Sequence, residues 1–195
     1  AHSEEGMQAL DSLAHQTGRL QFLMESMIKL SRMESGIIQI RKKPQDLMET
    51  IRKAVAGIVV EASKKNQQLS VDGPTQLTVM HDAKWTTEAI GNVLENAVKY
   101  TDEDGQIRVT VRRQEIFTVV EVTDTGRGIA AERQAQIFGR FYREPEVHEQ
   151  PGIGIGLYLT RKIMEAQDGY VDVVSKPGVG ATFRLHLQNA NVTEM

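Results

Sequence analysis

The sequence predicts an α+β fold. It is a two-layer α/β sandwich, with a mixed, mostly antiparallel sheet carrying helices on one face and one long helix in front. Three observations predict it. Segments 106–112 and 117–123 alternate apolar and polar residues, the period-two pattern of strands with one buried face. Segments 47–65, 83–101 and 154–167 carry apolar residues at three-and-four spacing, the pattern of helices lying on a core. Turn signals, Asp72-Gly73-Pro74 and Lys176-Pro177-Gly178-Val179-Gly180, separate the remaining short strand candidates.

Composition bounds the rest. A length of 195 residues allows one ordinary domain plus an appendage. Hydrophobic content of 40% and charged content of 25% are those of a globular protein. A net charge of -3 and a pI near 6.0 argue against a nucleic-acid surface. The absence of cysteine excludes disulfides and thiolate metal sites and fits a reducing compartment. No apolar run is long enough to span a bilayer, and no secretory signal is visible. The opening Ala1-His2-Ser3-Glu4-Glu5 reads as the start of an excised fragment.

In chain order, Met7 to Ser35 reads as a long helix. Leu13, Leu20, Leu23, Met27 and Leu30 form a bundle seam, Gly18 weakens it by roughly 1 kcal/mol, and Gly36 ends it. One helix cannot bury its own seam, so residues 1–36 are expected to be part of a helical bundle and 37–195 a separate domain. Ile38 to Arg41 alternates as a short strand. Asp46 reads as the N-cap of helix 47–65. Gln68 to Val71 and Gln76 to Met80 read as short strands of the one sheet, separated by the turn Asp72-Gly73-Pro74. Asp82 caps helix 83–101, with Trp85 in the core. The segments 106–112 and 117–123 form an antiparallel hairpin, and 130–138 suggests a short helix. Gly139 to Pro151, poor in apolar residues, reads as a mobile loop. Helix 154–167 and strands 170–174 and 181–187 follow, with a frayed end from Asn189.

The helix of residues 83–101 carries two faces. Asn92, Asn96 and Lys99 recur at i, i+4 and i+7 and share one stripe, while Ile90, Val93, Leu94, Ala97 and Val98 face a core. An Asn carbonyl oxygen is a hard ligand for Mg²⁺, and Lys supplies a mobile charge for phosphate. A solvated helix face shows the same stripe; two glycine clusters downstream decide for a nucleotide. Asp124-Thr125-Gly126-Arg127-Gly128-Ile129 follows a strand. Its carboxylate can accept from an exocyclic amine such as adenine's, and its glycines let a base lie against backbone. Gly152-Ile153-Gly154-Ile155-Gly156-Leu157 opens a helix and offers free N–H groups and the positive dipole end to phosphate. It is neither a Walker A loop nor a dinucleotide fingerprint.

Polar-striped helix, DxGxG after a strand, Phe-rich turn, glycine-rich helix start and Gly178-Val179-Gly180-Ala181-Thr182-Phe183 come in that order. The set resembles the catalytic and ATP-binding domain of sensor histidine kinases, within the gyrase–chaperone–kinase–mismatch-repair ATPase superfamily. The resemblance covers about Lys43 to Leu187, and the preceding helix resembles the second helix of the family's dimerisation and phosphotransfer domain. It implies that Asn96 coordinates Mg²⁺ with the catalytic Asn92 beside it, that Lys99 contacts phosphate and that Tyr100 borders the nucleotide. Asp124, Gly126, Gly128 and Ile129 would hold adenine. Phe138, Phe141, Tyr142 and Arg143 match the family's F box, with Arg143 stabilising charge on the γ-phosphate. Gly152, Gly154, Gly156 and Leu157 match the second glycine box, and Gly178, Gly180 and Thr182 the last.

The departures are Ile153 where a hydroxyl residue is frequent, Gly139 where an acid is common, and Gln167-Asp168 for a commoner His-Gly or Gly-Gly. None of the five histidines stands in the family's His-Glu-Leu-Arg-Thr-Pro-like acceptor box. The first helix of the hairpin, which bears the phosphoacceptor, is therefore expected to be missing. The resemblance implies an ATP- and Mg²⁺-dependent protein-histidine kinase, not competent for autophosphorylation as this fragment. Its partners would be the missing helix and a response-regulator receiver domain. The parent would be a homodimer, membrane-anchored, with this domain cytoplasmic. Two alternatives are an ATP-hydrolysing clamp of the same superfamily and a non-catalytic nucleotide-binding interaction module. In hydrolysing relatives a Glu stands four residues before the metal-binding Asn to activate water; here that position is Asn92, which is no base.

Overall fold

The computed structural model describes residues 2–143 and 154–189, without the side chains of residues 2–5, 15, 19 and 22. Gly152, Ile153 and most of the loop expected at 139–151 lie outside the described residues, as does the C-terminal segment 190–195. The chain divides into two units, residues 1–39 and 40–195. In the first, α1 runs His2–Glu34 without interruption at Gly18. It stops at Gly36, with Gly36 N–H donating to Met33 O at 3.1 Å.

The second unit runs β1 (Lys43–Asp46), α2 (Leu47–Ala56), α3 (Val59–Lys64), β2 (Gln68–Asp72), β3 (Thr78–His81), α4 (Ala83–Tyr100), β4 (Gln106–Arg113), β5 (Phe117–Asp124), two 3₁₀ turns (Ala131–Arg133 and Gln136–Phe138), α5 (Gly156–Glu165), β6 (Tyr170–Lys176) and β7 (Gly180–Gln188). A five-stranded sheet has the order β2-β4-β5-β7-β6. All its pairs are antiparallel except β2 with β4. The hairpin of β4 and β5 forms as expected, with Val109 opposite Val122 and Ile107 opposite Asp124.

Four expectations need correction. Ile38 to Arg41 is not a strand: the Arg41 N–H donates to Asp82 Oδ2 at 2.9 Å and not to a ladder, and β1 begins at Lys43. The segments at 68–72 and 78–81 are not neighbours in one sheet. β2 lies parallel to β4, whereas β3 pairs antiparallel with β1 in a separate two-stranded sheet, where an edge tolerates Pro44. The helix expected at 47–65 is two, because Gly57 and Ile58 close i→i+3 bonds to Ala54 O and Val55 O and interrupt the α-helical ladder. Residues 130–138 form 3₁₀ turns only.

Strand alternation sorts the sheet into two faces. Ile107, Val109, Val120, Val122, Phe183, Leu185 and Leu187 are buried, as are Leu47 and Ile51 of α2, Ile90, Val93, Leu94 and Ala97 of α4, and Leu159 and Ile163 of α5. Each large aliphatic side chain so buried contributes about 1.5–3 kcal/mol against exposure. The opposite face meets water and carries ion pairs, Arg112–Glu121 at 3.1 Å and Arg184–Asp172 at 2.6 Å, as a half-covered antiparallel sheet should. Both expected N-caps form. Asp46 accepts from Met48 N and Leu77 N, each at 3.0 Å, and the second of these bonds is the main force holding its carboxyl below the usual range. Asp82 accepts from Trp85 N at 3.2 Å.

Candidate nucleotide site

The site is built on α4. Asn92, Asn96, Lys99 and Tyr100 are half-exposed, while Val93, Leu94, Ala97 and Val98 between them are buried. The periodicity of the helix thus leaves one polar stripe off the core. Asn92 does not project freely: its Nδ2 donates to Gly156 O at 3.1 Å and to Thr160 Oγ1 at 3.4 Å. That ties the stripe to the first turn of α5 and turns the remaining amide oxygen into the group available to a ligand. Lys99 Nζ stands 4.7 Å from the Tyr100 ring centroid and the Arg127 guanidinium 5.6 Å from it. Two cations thus lie against one aromatic ring at the C-terminal end of α4.

The Asp124–Ile129 loop is stitched to this end. Arg127 N–H donates to Tyr100 O at 3.4 Å, Gly178 N–H to Arg127 O at 2.7 Å, and Ile129 N–H to Ser175 Oγ at 2.8 Å. Asp124 ends β5 on the inward face and is buried. Its Oδ1 accepts from Gly126 N at 2.8 Å and Ala181 N at 3.3 Å. Burial raises its carboxyl above the ordinary value, and those two N–H donors work against that. Both described bonds use Oδ1, which leaves Oδ2 for a donor on a ligand. The backbones meet too closely for side chains at three points. A Cβ at Gly126 would lie 2.5 Å from Tyr100 O, and one at Gly180 2.0 Å from Asp124 O. Gly128 lies against the Lys176 carbonyl in the same way.

The second glycine cluster closes the third side. Gly154 has φ +74° and a Cβ there would lie 2.4 Å from Tyr142 O, so the end of the Phe-rich segment, with half-exposed Arg143, sits beside the start of α5. Gly156 and Leu157 open that helix. Gly152 lies outside the described residues. Phe138 is a core residue, edge-on to Phe183 at 6.2 Å.

One expected residue is not brought here. Thr182 sits on the water-facing side of the sheet, its hydroxyl 3.0 Å from Thr123 Oγ1. Neighbouring residues of a strand face opposite ways, and Ala181, the next residue back, is the one whose N–H reaches Asp124. Sequence reasoning missed Ala181 and Ser175. The first contributes only a backbone donor, and the second is a lone serine before a turn; neither leaves a side-chain signal in the sequence.

Residues 81–191 match the family described as histidine kinase-, DNA gyrase B-, and HSP90-like ATPase. The chain is 32% identical over 174 residues to the adaptive-response sensory kinase SasA of Thermosynechococcus vestitus, covering 88% of this chain and 46% of that protein. It is 30% identical over 179 residues to the sensor protein kinase PmrB of Pseudomonas aeruginosa (87% and 37%). With the sensor-like histidine kinase SenX3 of Mycobacterium tuberculosis it shares 29% over 174 residues (88% and 42%). It therefore spans less than half the length of these relatives. Full-length ShkA, solved in complex with AMPPNP, superposes with a TM-score of 0.76 at 26% identity, over 88% of this chain and 36% of that one. The histidine kinase AdeS of Acinetobacter baumannii shares the fold, with a TM-score of 0.74 at 19% identity over 93% and 84% of the two chains. The polar-striped α4, the buried Asp124 and the glycine-rich start of α5 thus stand within a known frame: the chain belongs to the histidine kinase-, DNA gyrase B- and HSP90-like ATPase family, with the catalytic and ATP-binding domain of a sensor histidine kinase.

Proposed function

We propose that the chain binds ATP with Mg²⁺ between α4, the Asp124–Ile129 loop and the start of α5. In the parent protein the γ-phosphoryl then passes to a histidine, and from there to an aspartate of a response-regulator receiver domain. The observation that carries this reading is Asp124, a buried carboxylate with one oxygen saturated by backbone N–H groups and the other left for an exocyclic amine. ShkA, bound to AMPPNP in its solved structure, supports the adenine nucleotide.

The residues present fit the metal. No group of three His, Asp or Glu gathers among the described residues, so an ion here must complete its shell with phosphate oxygens and water. Mg²⁺ does so habitually, and when bound it neutralises charge on the phosphates. The amide oxygens of Asn92 and Asn96 are the hard donors that would hold it. Lys99 and Arg143 would offset charge on the phosphates, and Tyr100 would border the base. The domain's work is positioning and charge compensation.

The acceptor histidine would stand on a first helix that pairs with α1, in a homodimeric parent anchored to a membrane with this domain in the cytoplasm. Among the described residues no helix is long and apolar enough to cross a membrane. A clamp that hydrolyses ATP is disfavoured by Asn92. An amide cannot take a proton from water, whereas a neutral imidazole acceptor needs no such base. Calorimetric titration with AMPPNP, with and without Mg²⁺, tests the reading. Saturable binding that strengthens with Mg²⁺ is the expected result. Absence of binding would leave the non-catalytic interaction module as the better account.

A further inference from the structure

The last turn of α4 carries Lys99 and Tyr100, and its carbonyls have no partners within the helix. Two side chains from a distant segment take them. Lys65, just after α3, donates from Nζ to Val98 O at 2.9 Å, to Lys99 O at 3.3 Å and to Thr101 O. All three ammonium protons are thereby used. Gln67 donates from Nε2 to Val98 O at 3.0 Å, Thr101 O at 2.7 Å and Asp102 O at 3.3 Å. Gln67 and Thr101 are buried. The backbone is laced in parallel: Asp104 N–H donates to Lys65 O at 3.0 Å, Gln68 N–H to Gly105 O at 2.8 Å, and Asn66 between them takes φ +51°.

The location is what gives this cap a functional meaning. The capped turn presents Lys99, and its Tyr100 carbonyl receives the Arg127 N–H of the adenine loop. A cation at a helix C-terminus also opposes the negative end of the dipole, which would otherwise weaken attraction of phosphate to Lys99.

We propose that Lys65 and Gln67 are positioning residues for nucleotide binding, fixing the Lys99–Tyr100 turn and screening its carbonyls so that Lys99 can serve phosphate. This rests on the nucleotide reading above and adds the device that holds its phosphate side. Neither side chain meets the side chains of Asn92, Asn96 or Lys99 in the described contacts; both act on the backbone carbonyls of the turn.

The test uses the whole chain with Lys65→Met, Lys65→Arg and Gln67→Leu. Binding of AMPPNP·Mg²⁺ and of adenosine is measured by calorimetry, and amide exchange is followed in residues 98–105 and in the β4–β5 hairpin. Lys65→Met should raise exchange in 98–105 while leaving the hairpin unchanged. It should weaken AMPPNP at least 10-fold and adenosine less than 3-fold. Lys65→Arg should restore AMPPNP binding to within about 3-fold, and Gln67→Leu should raise exchange in the same segment. If Lys65→Met loosens the turn but leaves AMPPNP affinity within 2-fold, or weakens both ligands equally, the cap is structural only and the proposal fails. If the hairpin loosens too, Lys65 supports the fold at large, and the proposal fails likewise. A wild-type chain that binds neither ligand overturns the nucleotide reading itself.

Discussion

Asp124 and Thr182 separate what a residue type suggests from what its place on a strand allows. Both belong to glycine-marked boxes, yet one ends β5 facing the helices and the other faces water. Asp124→Ala should weaken AMPPNP at least 10-fold and reduce the preference for adenine over guanine nucleotides. Thr182→Val should change affinity less than 2-fold. Calorimetry on both variants decides it, and equal losses would contradict the assignment of faces. Histidine at 81 makes a different prediction. It is fully buried, with Nδ1 2.9 Å from Val79 O and Nε2 2.8 Å from Thr50 Oγ1. The carbonyl can only accept, so Nδ1 holds the proton and Nε2 accepts from the threonine hydroxyl. Burial keeps this imidazole below its usual value of 6.5. The unfolded chain therefore binds a proton that the folded chain refuses. Stability is full above pH 6.5 and falls as the pH drops from there towards the folded pKa. The slope reaches at most about 1.4 kcal/mol per pH unit for one group. Urea midpoints between pH 7 and pH 5 should fall with pH, and His81→Gln should reduce that fall, leaving the part due to His186, whose pKa burial also lowers.

At the scale of elements, α4 is held at both ends and along one side. Its start is tied to the end of α5 by Gln167, which is buried. Gln167 Oε1 accepts from Asp82 N at 2.8 Å, and its Nε2 donates to Thr86 Oγ1 at 3.2 Å. This gives a physical role to a residue that departs from the commoner His-Gly or Gly-Gly. The middle of α4 is tied by Asn92 to the first turn of α5. Gln167→Leu strands the Asp82 N–H and should cost about 1–3 kcal/mol, read from the urea midpoint. Leu94→Ala, in the core beneath the stripe, should cost about 2–5 kcal/mol. If the glutamine variant were as stable as wild type, the α4–α5 tie would not be a structural determinant.

The whole molecule should bind ATP·Mg²⁺ yet incorporate no acid-labile phosphate on itself. None of its five histidines stands in an acceptor box, and transfer needs a nucleophile in line at near-attack distance. Incubation with γ-labelled ATP followed by acid treatment tests this. Acid-labile label on His15, within α1, would refute it. The exposed Leu10, Leu13, Leu20 and Met24 on α1 form an apolar stripe that should drive concentration-dependent self-association. Sedimentation should show mass rising with concentration, and Leu13→Glu with Leu20→Glu should abolish the rise.

Much of this is legible in the amino-acid sequence alone. The apolar spacing of α4, the alternation of β4 and β5, the two aspartate N-caps and the order of glycine boxes are local patterns, written by neighbouring residues whose side-chain directions follow from the helix or strand period. They determined the elements, the family and most of the candidate site. The tertiary structure decided what local pattern cannot carry. It set β2 parallel to β4 and sent β3 to a separate sheet, because strand partners are chosen by long-range pairing. It turned the Thr182 side chain away from the candidate nucleotide site, because a one-residue step reverses the face, and set the Ala181 N–H against Asp124 through the pairing of β7 with β5. It brought Lys65 and Gln67 to the end of a helix more than thirty residues on, a match between a side chain and another segment's carbonyls that exists only once the chain has folded.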